Sequence, residues 1–92
     1  MNKSNLFIDI FRISPDGKYL EIDITCDEAY KFERFFIYDY RNKEAGYEKD
    51  ILKLLGKEFN SNNSRILARI SLDKLFGNTM YYADIEIELK EG

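Results

Sequence analysis

The residues that usually start chemistry are scarce in this chain. It has no histidine and a single cysteine, Cys26. Without histidine the commonest general base and the commonest metal ligand are both missing. Cys26 has no partner for an internal disulfide, and the neighbouring charges of Asp27 and Glu28 disfavour a thiolate. It also continues the apolar register of Leu20, Ile22 and Ile24, so a buried, inert thiol is expected. Ser14 adjoins a turn, and Ser61 and Ser64 lie in the loop "NSNNS". Neither a phosphate-cradling glycine loop nor a nucleophile elbow is present. Asp84, Glu86 and Glu88 alternate along one stretch, which on a strand spaces them about 7 Å apart. Calcium gathers oxygens from a tight loop or from several segments, so these three read as a solvated face partly paired with Lys or Arg. The expectation is therefore no catalytic residue, no bound cofactor and no metal ligand, and hence no enzyme.

Aromatic side chains are the other reactive surface. In "RFFIYDYR", Phe35, Phe36, Tyr38 and Tyr40 crowd together between Arg34 and Arg41. A base-stacking platform of the RNA-recognition type needs K/R-G-F/Y-G/A-F-V-x-F/Y, and the glycines are absent. The preceding elements form a tight hairpin where that fold needs βαβ. A net charge of −3 also opposes phosphate approach. Period-two alternation puts Phe35 and Ile37 on one face and Phe36, Tyr38 and Tyr40 on the other. A central strand covered on both faces is the expectation.

The elements that position these residues are mostly strands. Leu6, Ile8 and Ile10 alternate with Phe7, Asp9 and Phe11, and Leu20, Ile22 and Ile24 alternate with Glu21, Asp23 and Thr25. The second set predicts one dry and one wet face. Between them "SPDGK" predicts a type I turn with a bulge at Gly17, because Pro15 presets φ and Gly17 accepts a positive one. Asp27 to Lys31 reads as a polar connection before the third strand. Tyr47, Ile51, Leu54 and Leu55 fall on one helical stripe that Gly56 can end, so a short helix is predicted, with a long ordered loop as its rival. In "SRILARISL", Ile66, Ala68, Ile70 and Leu72 share a strand face; Ser71 caps a helical turn that Gly77 closes. Tyr81, Ala83, Ile85, Ile87 and Leu89 alternate with Tyr82, Asp84, Glu86, Glu88 and Lys90 in the cleanest strand.

Ninety-two residues make one domain, 1–92, with a modest core. No apolar run approaches the ~20 residues of a membrane span, and the start "MNKSNLFIDIF" is no secretory signal, which predicts folding in the host cytosol. The five visible strands predict a mainly β fold: a small antiparallel β-sandwich with one short helix and a helical turn. An α+β sheet with one helix on its face is the alternative.

The pattern formed by "ISPDGKYLEIDI", "FFIYDY", "SRILARISLDKLFGN" and "YYADIEI" resembles small virion structural proteins of tailed bacteriophages, especially crAss-like phages of gut Bacteroidales. The likeness spans most of residues 5–89. It implies a short β-sandwich in the capsid, neck or tail, assembled in the host cytoplasm. The implied partners are other virion proteins in a symmetric ring or shell, with no nucleic acid and no membrane. A sandwich leaves two strand edges open as joints, and Tyr38, Tyr40, Tyr81 and Tyr82 are the expected contact residues, since Tyr is enriched at interfaces. A small phage-encoded host-interaction or inhibitor module is the alternative. A carbohydrate-binding module with exposed Tyr platforms is a third class.

Overall fold

The computed structural model describes residues 5–39, 48–56, 64–75 and 83–92. Among them are six strands: β1 (Leu6–Ile13), β2 (Tyr19–Cys26), β3 (Tyr30–Asp39), β4 (Glu48–Asp50), β5 (Arg65–Ser71) and β6 (Ala83–Glu91). They form two antiparallel three-stranded sheets, β1-β2-β5 and β4-β3-β6. The apolar faces of the two sheets share one core, so the chain is the sandwich its alternation predicts. Helix α1 (Ile51–Leu55) follows β4, and a 3-10 turn, Leu72–Lys74, follows β5.

The first hairpin shows why "SPDGK" folds as it does. The Gly17 amide donates to the Ser14 carbonyl at 2.8 Å, and Gly17 takes φ 76°. Asp16 Oδ1 accepts from the Ser14 hydroxyl at 2.5 Å and from the Lys18 amide at 3.0 Å. Ser14 Oγ in turn accepts from the Tyr19 amide at 3.0 Å. Ser14, Asp16 and Gly17 thus satisfy the turn's backbone groups locally.

Two strands carry one extra residue each, and these bulges decide what faces the core. The β1–β2 register shifts between Ile8 and Ile10, leaving Asp9 as the extra residue. Leu6 and Ile8 therefore lie opposite Cys26 and Ile24, while Phe11 and Ile13 lie opposite Ile22 and Leu20. The expected stripe of Leu6, Ile8 and Ile10 is corrected: Ile10 turns to the outer face. In β3 the register shifts between Phe32 and Arg34, so Phe32, Phe35 and Ile37 all point inward although their numbering changes parity.

The core centres on Leu20, Ile22, Ile24 and Cys26 of β2, Phe32, Phe35 and Ile37 of β3, and Ile66 and Ile70 of β5, all buried. Leu72 and Leu75 extend it through the 3-10 turn. Ala68 and, on β6, Ile85, Ile87 and Leu89 complete it as half-buried neighbours. The segment read as a polar connection is shorter than expected. Asp27 makes a turn, with the Tyr30 amide donating to its carbonyl at 2.9 Å and the Ala29 amide to its carboxylate at 3.0 Å. Strand β3 already starts at Tyr30.

The helix holds only one turn and a half. Asp50 caps it by accepting from the Lys53 amide, and Gly56 at φ 55° ends it. Ile51 and Leu55 are buried, whereas Leu54 is exposed and Tyr47 lies outside the described residues. Strand β4, which immediately precedes the helix, escaped the sequence reading because three charged residues, Glu48, Lys49 and Asp50, carry no alternation. Ser71 caps the 3-10 turn by accepting from Asp73, and the turn closes at Leu75; Gly77 lies outside the described residues.

Phe35→Ala empties a fully buried site between the sheets and is expected to lower unfolding free energy by about 3–5 kcal/mol. Gly17→Ala, at a positive φ with open space around it, is expected to lose only about 1–2 kcal/mol through backbone strain. Urea denaturation monitored by circular dichroism measures both, and a Phe35→Ala loss no larger than that of Gly17→Ala would contradict the core assignment.

Candidate functional site

The features that distinguish this surface lie on the outer faces of the two sheets. On β1-β2-β5 the outward side chains form cross-strand rows. Ile10, Asp23 and Leu67 stand in one row, and Arg12, Glu21 and Arg69 in the next. An open groove of about 380 Å³ runs between them, lined by Ile10, Arg12, Glu21, Leu67 and Arg69 with Ile22 and Ala68. Asp23 is buried in this face because Arg65 lies over it, donating from Nε at 2.9 Å and Nη2 at 2.8 Å. This corrects the expectation of a simply wet face on β2. The bidentate geometry is the strong form of the pair. Its hydrogen bonds hold the Asp23 carboxyl below the usual carboxylate range, against the desolvation that opposes this.

The same strands expose a good deal of apolar surface. Leu67 is 67% exposed, Phe7 55%, Ile8 50%, Ile13 39% and Ile10 37%. Ile8 and Ile13 belong to the inward face of β1, where the edge of the sheet overhangs the core; Phe7, Ile10 and Leu67 belong to the outer face. Leu67 was legible in principle: an apolar residue out of phase with Ile66, Ala68 and Ile70 must face outward if they face in. Ile10 was not, because its orientation follows from the bulge.

The outer face of β4-β3-β6 is aromatic and acidic. Phe36 and Tyr38 stack with ring centroids 6.4 Å apart. Arg34 lies over the Phe36 ring at 4.6 Å. Glu86 accepts from Arg34 at 3.3 Å and from the Tyr38 hydroxyl at 3.3 Å. Tyr38 also stands directly between Glu48 and Asp84 across the neighbouring strands. Desolvation first, then the charges of Glu86 and Glu48, push its phenol above the ordinary tyrosine value. Tyr38, Asp84, Ile85 and Glu86 line a shallow groove of about 410 Å³. The expectation that β3 is covered on both faces is thus corrected. Phe35 and Ile37 are fully buried, but Phe36 and Tyr38 are only half-buried, since a two-layer sandwich covers one face of each sheet.

Of the four tyrosines expected at contacts, Tyr38 sits on this face, and Tyr40, Tyr81 and Tyr82 lie outside the described residues. Asp84, Glu86 and Glu88 do form an outward row on β6, paired in part with Arg34. No cluster of ligand-bearing side chains suited to a metal occurs among the described residues. Cys26 is buried, with Sγ 3.5 Å from the Tyr30 carbonyl, and desolvation and then Asp27 push its thiol pKa up. A thiol so placed is a poor nucleophile at neutral pH. No helix among the described residues is long and apolar enough to cross a membrane. No family model, curated protein or solved structure matches the chain.

Asp16 and Asp23 both titrate below their ordinary value in the folded chain. The unfolded chain therefore binds more protons across that window. Their stabilisation is complete above the unfolded carboxylate value of about 4 and fades as pH falls through the lower, folded value. Asp23→Asn is expected to flatten the acid limb of a stability-against-pH curve relative to the parent chain. Equal acid limbs in Asp23→Asn and the parent chain would show that the Arg65 pair adds nothing.

Proposed function

We propose that this chain is a non-enzymatic assembly module that works through protein–protein contacts, as a structural component of the capsid, neck or tail of a tailed bacteriophage. The observation that carries the contact reading is the group of exposed apolar side chains on the outer face of β1-β2-β5, Phe7, Ile10 and Leu67, beside Arg12 and Arg69. Scattered exposed apolar residues are ordinary, but a cluster rimmed by charges is typical of a surface that meets a partner. Strand edges add to this. Among the described residues each three-stranded sheet has two, β1 and β5 in one and β4 and β6 in the other. Edge strands without a bulge, here β4, β5 and β6, are where a partner strand can add. The virion setting is supported by the resemblance of the strand-and-turn pattern to small phage structural proteins.

The role needs no turnover, only repetition: the chain occupies a fixed place among neighbours and is present in many copies. Quantitative mass spectrometry of purified particles of the encoding phage tests this. The chain is expected in multiple copies relative to the portal, and its tagged form is expected to capture a particle component. Absence from particles combined with capture of a host enzyme would replace this reading with that of an inhibitor module.

A further inference from the structure

The two outer faces carry ion triads of opposite sign. On β1-β2-β5, Glu21 sits between two arginines, with Arg12 Nε at 2.8 Å and Arg69 Nε at 3.6 Å. On β3 and β6, Arg34 sits between two glutamates, with Glu86 at 3.3 Å and Glu88 at 3.9 Å. The first triad has an excess positive charge and the second an excess negative one. Depth sharpens the contrast. The Glu21 side chain is only 23% exposed, against 61% for Arg12 and 56% for Arg69, so the layer that meets an incoming surface is guanidinium. In the second triad Glu86 and Glu88 stand as far out as Arg34, and the exposed Glu48 stands opposite Tyr38 on the neighbouring strand. Away from the first triad Arg65 is compensated by Asp23 and lies near Asp9, so the positive excess is local to the triad.

Apolar and aromatic groups lie beside both. Ile10 and Leu67 flank the first triad across the groove, and the stacked Phe36 and Tyr38 flank the second. Each face also holds a guanidinium against a ring, Arg69 at 4.3 Å from Tyr19 and Arg34 at 4.6 Å from Phe36. In a sandwich these faces look away from one another, so a single copy cannot satisfy one with the other.

We propose that they are the two halves of one joint between copies of this chain. The outer face of β1-β2-β5 in one copy docks on the outer face of β4-β3-β6 in the next, with Arg12 and Arg69 meeting Glu86 and Glu88, and Ile10 and Leu67 resting on Phe36 and Tyr38. Such a contact is heterologous, so it repeats head to tail and closes to a ring or runs on as a filament. Opposite charge in the presented layers is what selects a second copy as the occupant, since like charges across an interface are strongly unfavourable. The proposal rests on the protein-contact reading above and not on the virion setting.

Charge exchange tests it on the purified full chain by sedimentation velocity. One variant carries Arg12→Glu, Glu21→Arg and Arg69→Glu; the other carries Arg34→Glu, Glu86→Lys and Glu88→Lys. Both keep ion pairs within their triads, and circular dichroism checks that they fold. The parent chain is expected to associate with rising concentration, at least about tenfold more weakly at 1 M salt than at 0.1 M, where the screening length is about 3 Å rather than about 10 Å. Each variant alone is expected to stay monomeric, and an equimolar mixture to associate again. Leu67→Gln, an exposed change that leaves the core intact, is expected to weaken association about tenfold, and it carries the test if a triple variant unfolds. A parent chain that stays monomeric overturns the joint. So does a mixture no more associated than its components, or association that Leu67→Gln leaves unchanged. The presence of the chain in particles does not enter these readouts, so failure of the joint and failure of the virion reading are separable.

Discussion

The dry contact between β2 and β3 is what the other features of this chain lean on. Leu20, Ile22 and Ile24 face Phe35 and Ile37 across the sandwich, and all five are almost completely removed from water. Each central strand then holds two edge strands by backbone ladders. Burial of this kind scales with apolar area, and a chain of this length has only one such layer to bury. With one layer covered, the opposite face of each sheet is left to solvent or to a partner. That geometry explains why large apolar and aromatic side chains coexist on the outside with a well-formed core.

The two bulges adapt the strands to this arrangement. Both extra residues are acidic, Asp9 in β1 and Glu33 in β3. A carboxylate tolerates the unpaired position because it can reach a cation at the surface, as Glu33 does with Lys90 at 2.9 Å. A bulge in edge strand β1 also breaks the even row of donors and acceptors that would template uncontrolled strand addition. Contact through the flat outer faces is compatible with that protection, whereas continuous pairing along β1 is not.

Outside the core, charge is arranged by strand register. Glu21 lies opposite Arg12 on one side and Arg69 on the other, and Arg34 lies opposite Glu88, with Glu86 diagonal to it. Individually such exposed pairs contribute little to stability. Their interest is in the pattern they present, with arginines outermost on one face and glutamates equally prominent on the other.

Much of this was legible in the residues. Period-two alternation located five strands, "SPDGK" defined a hairpin that Gly17 completes, and Gly56 and Ser71 marked the end of the helix and the cap of the 3-10 turn. The run of Cys26 with Leu20, Ile22 and Ile24 correctly assigned the thiol to the core. These are local properties, set by side-chain period and by the backbone angles that Pro and Gly permit, so the chain alone determines them. The inward choice of Phe32 beside Phe35, the outward turn of Ile10, the charged strand β4 and the burial of Asp23 beneath Arg65 were decided only by the tertiary structure. Each depends on which strand lies alongside, and a bulge or a cross-strand ion pair has no signature until the two strands meet.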